Sequence, residues 1–500
     1  MAKFTTGAVI PVLEGALADG PRTLYTQLYD RVRQAILTGA LPLGHRLPST
    51  RTLAADLGVS RNTVEGAFSQ LQAEGFLVRR VGAGTFVAEA VPEYYRTPRV
   101  PRVARRSSAP APTRPRGRDA LSERGRRTAA IALGPDSAGT HPLVPCLPAL
   151  DAFPVRTWQR VVARRVRRGG RDLLHYGAAE GYRPLREAVA THVATARAVR
   201  CDWRQVMIMT STQQVLDLVA RLLLDAGESA WVEEPGYRGA RAAFLAAGAR
   251  LVPVPVDEDG VIVDAGVARA PDARLAYVTP SHQYPLGGAL SLARRLALLA
   301  WAHRRGAWIV EDDYDSELRY TGRPLASVQG LDTAGRVFYV GTFNKVMYPS
   351  LRLAYVVLPP DLVDLFAAAR QQFDGHTPTL LQAALADFIE AGHFVAHLRQ
   401  MRLVYRERRD AFLAAVAEEL APRIRLGACD TGMHLTGWLG EGVDDLQVVD
   451  RAARRGVALR PLSTHYLGPD RRPGLVLGYS SAPPAVTRRA LRTLSAVLDA

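Results

Sequence analysis

Apolar positions in the first ninety residues recur at the spacing of short helices. Between Leu24 and Ile36 they return every three or four residues, which predicts a helix with one buried face. Ser49 and Ser60 each stand directly before a further helical run, where a serine hydroxyl can cap the free amides of the first turn. Two such helices joined through Gly58 predict a helix-turn-helix.

Two short strand patterns follow these helices. Phe76–Arg80 and Thr85–Val87 predict a hairpin whose tip at Gly82 can approach a phosphate backbone closely. The last helix before them begins at Arg61, and the first residues of such a helix reach base edges when it enters the major groove. The pattern predicts a winged helix that binds DNA. A small helical domain whose arginines are only solvated is the alternative.

Beyond about residue 140, short apolar runs alternate with helical patterns. Buried strands separated by helices predict an α/β domain with a mainly parallel sheet. In such sheets ligands collect beyond the carboxyl ends of the strands. The predicted strands are Met207–Met209, Ala230–Val232, Leu275–Val278, Trp308–Val310, Val337–Val340 and Leu353–Leu358.

The composition of the 500-residue chain narrows its surroundings. Its 48% hydrophobic content allows two folded cores, and much of its net charge of +16 falls in the first 140 residues, which predicts a polyanionic partner there. Cys146, Cys201 and Cys429 lie far apart, so we predict neither a disulfide framework nor a metal site. No apolar run approaches the ~20 residues of a membrane span, and the opening residues lack a signal-peptide pattern. We therefore expect a cytoplasmic protein.

A basic segment separates the two predicted domains. Residues 96–127 contain 11 arginines, five prolines and almost no large apolar residues, so they cannot build a core and are expected to act as a tether. Their charge could also contact DNA phosphates. The predicted division is a tail at 1–21, a winged helix at 22–90, a linker at 91–139 and a large domain at 140–500.

Lysine is nearly absent from this arginine-rich chain. Of 64 basic residues only Lys3 and Lys345 are lysines. Arginine can replace lysine wherever positive charge alone is needed, but it cannot supply the deprotonatable amine of a Schiff base. Lys3 lies near the terminus, so Lys345 is the lysine that requires a chemical explanation.

Lys345 follows one of the predicted strands, and polar residues follow its neighbours. A pyridoxal 5'-phosphate site needs an amine for the Schiff base, a carboxylate for the pyridine nitrogen, a donor for the ring oxygen and donors for the phosphate. Lys345, Asp312 and Tyr314 are candidates for the first three roles. We expect His282 and Gln283 to line the pocket near the ring. The other predicted cofactor contacts are Ser211, Thr212, Gln213, Tyr237, Thr342 and Arg352.

The N-terminal segment LPSTRTLAADLGVSRNTVEGAFSQLQAEGFLVRRVGAGTFV resembles the winged-helix domain of the GntR family along its full length. This resemblance implies binding to double-stranded DNA. Glu65 departs from the arginine that some members carry there. The positions at which the family touches DNA correspond to Arg51, Arg61, Thr63 and Gly82.

The rest of the chain resembles fold-type I aminotransferases. Joined to a GntR-type winged helix, this resemblance is to the MocR/GabR group of regulators, and it implies the roles given above for Lys345, Asp312 and Tyr314. Tyr176 matches a tyrosine that reaches the cofactor phosphate of the neighbouring subunit, which implies a homodimer. The matching segments are YGAAEGYRPLREAVATHV, EEPGYRGAR, TPSHQYPLGG, VEDDYDSELRY, VGTFNKVMYPSLRLAYVVLP and HLRQMRLVYRERR.

Three positions depart from the aminotransferase pattern, and the first two argue against an efficient transaminase. Val476 stands where many aminotransferases have the arginine that binds the substrate carboxylate, and Ser211 stands where the phosphate-binding turn often has glycine. Tyr284 likewise occupies a position at which transaminases often have asparagine. Arg238, Arg241 and Arg460 are alternative carboxylate ligands among which the sequence does not choose.

Three functions are compatible with these patterns. The first is a transcriptional regulator that senses pyridoxal phosphate or a small amine or amino-acid effector, and the intact winged helix favours it. The second is a functional aminotransferase that carries a DNA-binding domain. The third is a DNA-binding protein whose large domain is only a dimerisation scaffold, and the presence of Lys345 disfavours it.

Overall fold

The computed structural model describes residues 23–80, 82–89, 121–131, 141–320, 326–427 and 430–499. It separates into two compact units, with the boundary between Thr113 and Arg114. The predicted tail at 1–21, most of the predicted linker, Lys3 and Cys429 lie outside the described residues. None of the helices in the described ranges is long and apolar enough to cross a membrane.

The N-terminal unit contains three helices followed by a two-stranded hairpin, as the sequence predicts. The strands pair antiparallel, with Leu77 opposite Val87. The elements are α1 (Leu24–Leu37), α2 (Thr50–Asp56), α3 (Arg61–Ala73), β1 (Leu77–Arg80) and β2 (Gly84–Val87).

Serine caps define the starts of the two helices of the helix-turn-helix. The Ser49 hydroxyl accepts a hydrogen bond from the Thr52 amide at 3.1 Å, and the Ser60 hydroxyl accepts one from the Thr63 amide at 3.1 Å. Each bond satisfies an amide that has no partner within its own helix. The predicted inward residues of all three helices form one buried cluster with the hairpin, and they include Leu28, Val32, Leu53, Val64, Phe68 and Leu71.

The C-terminal unit is an α/β domain with two sheets. Helix α4 lies inside the segment predicted as linker and lies beside α8. The helices are α4 (Glu123–Ala130), α5 (Val155–Arg168), α6 (Arg183–Arg197), α7 (Thr212–Leu223), α8 (Arg238–Ala247), α9 (Val263–Arg269), α10 (Leu292–Arg305), α11 (Val328–Leu331), α12 (Phe343–Val346), α13 (Val363–Phe373), α14 (Thr379–Glu390), α15 (His393–Glu419), α16 (Asp445–Arg454) and α17 (Pro484–Leu498). The strands are β3 (Val206–Met209), β4 (Ser229–Glu234), β5 (Arg250–Asp257), β6 (Gly260–Val261), β7 (Leu275–Val278), β8 (Trp308–Asp313), β9 (Val337–Thr342), β10 (Ala354–Val357), β11 (Arg425–Leu426), β12 (His434–Trp438), β13 (Arg460–Pro461) and β14 (Gly474–Gly478).

The large sheet has the strand order β3-β10-β9-β8-β7-β4-β5-β6. Strands β9, β8, β7, β4 and β5 are parallel, whereas β10 runs antiparallel to both of its neighbours and β6 runs antiparallel to β5. The prediction of a mainly parallel sheet is therefore confirmed. The sequence analysis did not identify β5 and β6, or the four-stranded antiparallel sheet β11-β12-β14-β13.

Alternate residues of the strands face the two helical layers. Val206 and Ile208 of β3 pack in a cluster with residues of α6 and α14, whereas Met207 and Met209 pack in a cluster with residues of α7 and α8. Because both faces of the sheet are covered, β3, β7 and β10 are continuous buried apolar runs without polar alternation. Polar residues are therefore concentrated where the strands end.

Candidate functional site

A cavity of about 710 Å³ opens at the carboxyl ends of β8 and β9 and the start of α7. This volume lies in the range of small-molecule and cofactor sites, ~300–1,000 Å³. All residues of the large domain predicted to hold the cofactor line the cavity, with the exception of Tyr176. Those that line it are Lys345, Asp312, Tyr314, Ser211, Thr212, Gln213, Tyr237, Thr342 and Arg352.

Asp312 provides a buried carboxylate that is only half satisfied. The Tyr277 hydroxyl donates to its Oδ2 at 2.7 Å, while Oδ1 is buried without a hydrogen-bond partner among the described residues. Burial raises the pKa of Asp312 to about 7, although the hydrogen bond from Tyr277 opposes this shift. A protonated pyridine nitrogen would supply both the missing donor and the missing positive charge, so this carboxylate fits the ring of pyridoxal phosphate.

Lys345 enters the cavity from the short helix α12. The Thr342 hydroxyl accepts a hydrogen bond from the Asn344 amide at 3.2 Å, which fixes the turn between β9 and α12. The Lys345 Nζ atom donates to the carbonyl oxygen of Cys146 at 3.3 Å. Cys146 has a left-handed backbone with φ of +61°, which is uncommon for a residue other than glycine. The sequence analysis did not identify Cys146 as a neighbour of the lysine.

The start of α7 and the side chain of Arg352 line the part of the cavity that is predicted to bind the phosphate. Ser211 caps α7 and accepts a hydrogen bond from the Gln214 amide at 3.2 Å. Amides at the start of a helix favour anions. Arg352 lines the same cavity with a left-handed backbone, at a φ of +53°, and no group in the described part of this unit binds its exposed guanidinium. A phosphate would provide a bidentate partner for it.

Gly239, which the sequence analysis did not single out, lies against the side chains of both Gln213 and Tyr237. The Gln213 side chain donates to the Gly239 carbonyl oxygen at 2.9 Å. A Cβ atom at Gly239 would overlap both the Gln213 amide oxygen and the Tyr237 ring. The absence of a side chain there lets α8 begin close to the aromatic ring that lines the cavity.

Behind Tyr314 lies a buried polar pair that sequence reasoning described incorrectly. His282 and Gln283 were expected to line the pocket, but neither borders the cavity. The Tyr314 hydroxyl donates to the His282 carbonyl oxygen at 3.0 Å, and the His282 Nδ1 atom lies 2.9 Å from a carboxylate oxygen of Asp315. Asp315 therefore fixes the imidazole, and His282 orients the tyrosine. Gln283 instead donates to the carbonyl oxygen of Pro235 at 2.9 Å.

His434 adds a third buried ionisable group to this pair. One ligand atom from each of His282, Asp315 and His434 lies within 4.8 Å of the others. Burial lowers the pKa of the His434 imidazole well below its ordinary value, and the neighbouring His282 adds to this shift. The His282 Nδ1 atom hydrogen-bonds Asp315, whereas the Nε2 atoms of His282 and His434 are buried without a hydrogen-bond partner among the described residues.

The structure distinguishes among the three candidate carboxylate ligands. Arg460 lines the cavity, and it pairs across β13 and β14 with the buried Val476, at which many aminotransferases carry arginine. Arg241 instead pairs with Glu234 at 3.1 Å and lies 3% exposed. Arg238 does not border the cavity. Arg460 is therefore the candidate that stands where a ligand in the cavity can contact it.

Tyr176 lies outside the cavity and is 97% exposed. Its ring contacts His376 edge to face, with ring centroids 6.0 Å apart. The expected contact with the cofactor of a neighbouring subunit stays a prediction.

The winged helix exposes the residues predicted to contact DNA. The Arg61 side chain is 62% exposed at the start of α3 and lies 3.6 Å from Glu65. Arg51 is exposed on α2, and Gly82 has a φ of +75° with open space around it. Thr63 is half-buried, and its hydroxyl hydrogen-bonds the Ser60 hydroxyl at 2.8 Å. Their contacts with DNA stay predictions.

A winged helix and an aminotransferase-like α/β domain with a lysine in its cavity define a class of DNA-binding regulator. The comparisons with known protein families agree with this architecture. Residues 24–87 match the family model "Bacterial regulatory proteins, gntR family", and residues 150–472 match "Aminotransferase class I and II". The aminotransferase fold implies dependence on pyridoxal 5'-phosphate, and the winged helix implies binding to DNA.

Similar proteins share the whole architecture. The chain is 42% identical to the probable rhizopine catabolism regulatory protein MocR of Rhizobium meliloti, over 95% of this chain and 94% of that protein. It is 32% identical to the HTH-type transcriptional regulator TauR of Rhodobacter capsulatus, over 98% of this chain and 99% of that protein. Among solved structures, the α-aminoadipate aminotransferase LysN of Thermus thermophilus matches with a TM-score of 0.68 and 32% identity, over 74% of this chain and 94% of that chain.

The chain belongs to the MocR/GabR group of transcriptional regulators, in which a GntR-family winged helix is joined to an aminotransferase-like domain. Both domains of this family are represented over nearly their full lengths. The regulator is thus favoured over an aminotransferase with an incidental DNA-binding domain.

Asp312→Asn should stabilise the cofactor-free protein at neutral pH. The folded-state pKa near 7 exceeds the unfolded value of ~3.9, so the folded protein binds the extra proton between these values and loses stability as pH rises from about 4 to 7. The loss reaches roughly 4 kcal/mol at most, and asparagine avoids it. Urea unfolding of both cofactor-free proteins at about pH 5 and pH 8 measures the difference.

The neighbouring Asp313→Asn is the matched control for this prediction. Asp313 pairs with the buried Arg197 at 2.7 Å, so its replacement should destabilise the protein. Equal stability of Asp312→Asn and the parent at both pH values would contradict the claim that the buried, ionised Asp312 carboxylate destabilises the cofactor-free protein.

Arg61→Ala should relax the sequence preference of the winged helix. If Arg61 contacts a base, its loss costs ~1–3 kcal/mol on a selected site, with less change in the salt dependence than in the discrimination between sequences. Fluorescence anisotropy on the selected duplex and a scrambled duplex, with constant pyridoxal phosphate, measures both. Parent-like binding to both duplexes would refute the docking of α3 in the major groove.

Proposed function

We propose that this regulator binds pyridoxal 5'-phosphate in the cavity of its large domain and adjusts its binding to DNA when a small amine or amino acid reaches the cofactor. The observation that carries the proposal is the buried, unpartnered Oδ1 atom of Asp312, because a cationic ring nitrogen is the group that would compensate its burial. A DNA partner also favours a cytoplasmic location.

The bound cofactor would supply an electron-withdrawing ring and an aldehyde that reacts with amines. Lys345 would hold it covalently through Nζ, and Asp312 would keep the ring nitrogen protonated. The Tyr314 hydroxyl, which donates to the His282 carbonyl oxygen in this structure, would turn its proton from that acceptor to the ring oxygen of the cofactor. Tyr237 would cover the ring face. Ser211, Thr212, Gln213, Thr342 and Arg352 would surround the phosphate.

Arg460 is the residue that we assign to the carboxylate of an amino-acid effector. It borders the cavity on β13, one strand away from the position at which many aminotransferases place their arginine. A guanidinium can bind a carboxylate through two parallel hydrogen bonds. The effector class that this arrangement favours is therefore a primary amine that also bears a carboxylate.

The functional unit that we propose is a homodimer in which Tyr176 contacts the neighbouring cofactor site. Its high exposure in a single chain is consistent with such a contact. For the effector to alter DNA binding, it must bind two arrangements of the dimer unequally, and such coupling typically amounts to ~1–3 kcal/mol. Footprinting on the DNA upstream of the gene, with and without cofactor and amines, tests the coupling.

Lys345→Arg should abolish the visible absorption band of the lysine-bound cofactor. Guanidinium stays protonated and cannot attack the aldehyde, while the charge and size of the side chain are nearly kept. Absorption spectra of purified protein with added pyridoxal phosphate, before and after borohydride, measure the loss.

Lys3→Arg is the matched control, because it removes the other lysine of the chain. It should retain the band. A band that persists in Lys345→Arg, or that disappears in Lys3→Arg alone, would refute the assignment. Sustained turnover of the parent with an amino donor and a keto acid would favour the aminotransferase alternative.

Arg460→Gln should weaken the response to amines that bear a carboxylate by roughly 10- to 150-fold, since hydrogen bonds to charged groups contribute about 1.5–3 kcal/mol. The affinity for pyridoxal phosphate should change little. Spectral titration with an amino acid and with a simple alkylamine of the same length separates the two effects. An equal loss for both ligands would contradict a carboxylate-specific role.

A further inference from the structure

Glu65 places a carboxylate on the outer face of α3, the helix that is predicted to enter the major groove. At 100° per residue, this face consists of residues within an arc of about 100° that lie outside the buried set of the helix, namely Arg61, Asn62, Glu65 and Ser69. The Glu65 side chain is 39% exposed, and Glu65 is the only acidic residue in the sequence of α3. A carboxylate repels DNA phosphates, so this position is unsuited to a backbone contact.

The packing of α3 fixes the direction in which Glu65 points. Val64 and Ala67, which flank this part of the helix, are completely buried. A Cβ atom at Gly66 would lie 3.2 Å from the ring of Tyr25 on α1, so the two helices approach closely at this point. The backbone that carries Glu65 is therefore held from the inner side of the helix. Such support suits a side chain that must meet one particular atom of a base.

Helix stability gives only a weak reason for an acid at this position. The Arg61 Nη2 atom lies 3.6 Å from the Glu65 Oε1 atom, and exposed ion pairs one turn apart contribute little to stability. Glu65 is the fifth residue of α3, so it lies beyond the first turn, in which an acid interacts well with the helix dipole. The pair nevertheless places a guanidinium and a carboxylate side by side on the surface that is predicted to face the bases.

The major groove offers few partners to a carboxylate. The hydrogen-bond donors there are the amino groups of cytosine and adenine. Adenine presents its N7 acceptor beside the amino group, and this acceptor repels a carboxylate, whereas cytosine presents the donor alone. Arg61 has the opposite preference, because a guanidinium suits the O6 and N7 acceptors of guanine. The four residues from Arg61 to Glu65 rise about 6 Å along the helix, which is close to two base-pair steps of ~3.4 Å.

We propose that Glu65 is a specificity-determining residue, whose carboxylate accepts a hydrogen bond from the amino group of a cytosine within two base pairs of the base that Arg61 contacts. Guanine and thymine present acceptors at this place, so they would leave the carboxylate dehydrated and unpaired, which disfavours them. The inference rests on the docking of α3 in the major groove, which Arg61→Ala tests separately.

The test uses the full-length protein with a constant concentration of pyridoxal phosphate. The parent protein first selects its sites from a pool of random duplexes. Fluorescence anisotropy then measures its affinity for the selected duplex and for duplexes in which one base pair at a time is replaced. Replacement of the cytosine that Glu65 contacts should weaken binding of the parent by roughly 5- to 150-fold, the usual effect of one mismatched pair.

Glu65→Gln keeps the shape of the side chain and removes its charge. This variant should lose the preference for cytosine at that one base pair and favour adenine, with which glutamine forms two hydrogen bonds. Asp56→Asn, at an exposed position at the end of α2, removes the same charge and is the matched control. It should raise the affinity for all duplexes alike and keep the preference of the parent at every base pair.

Unchanged base preferences in Glu65→Gln would overturn the proposal. So would a change confined to the base pair at which Arg61→Ala relaxes the preference, because Glu65 would then only orient Arg61. The same change of preference in Asp56→Asn would also overturn it, since the effect would come from net charge. Parent-like binding by Arg61→Ala would show instead that the docking of α3 is wrong, and the proposal would fall with it.

Discussion

A carboxylate held out of water with one of its oxygens unpartnered is the constraint around which the large domain is arranged. Burial of ionised Asp312 costs several kcal/mol, which Tyr277 offsets only in part. The surrounding strands position this group at the base of a cavity that also contains Lys345. A cation that binds beside this carboxylate would stabilise the interior, so the affinity for such a ligand and the cost of burying ionised Asp312 have the same origin.

The parallel sheet explains why the functional groups meet at one edge. Both faces of the sheet are covered by helices, so β8 and β9 are apolar until their last residues. Asp312 and Tyr314 lie at the carboxyl end of β8. Lys345 follows the carboxyl end of the neighbouring strand β9. The contacts behind Tyr314 also depend on the end of this strand. Asp315 directly follows Tyr314 and hydrogen-bonds the His282 imidazole, and the His282 carbonyl oxygen accepts the hydrogen bond that orients Tyr314.

The parts of the fold that could be predicted from the sequence depend mostly on local patterns of residues. Ser49 and Ser60 cap helices through amides three residues away, and the six predicted strands are uninterrupted apolar runs, so the winged helix and the main sheet were both predictable. The features that the sequence analysis missed depend on contacts between residues that are far apart in the chain. Lys345 meets the carbonyl oxygen of Cys146 across 199 positions. His282 lies behind Tyr314 because Asp315 holds it there, and no spacing rule in the sequence expresses this.

The distribution of arginine and lysine follows from what each cation can do. Arginine stays charged at every accessible pH and binds phosphate through a planar fork, which suits the roles proposed for Arg61 on α3 and for Arg352 at the cavity. Only the ammonium group of lysine can lose a proton and become a nucleophile. Lys345 is the single lysine in the described part of the chain, and it lies in the cavity that contains Asp312. A chain that uses arginine wherever charge suffices thus retains lysine where covalent chemistry would exclude arginine.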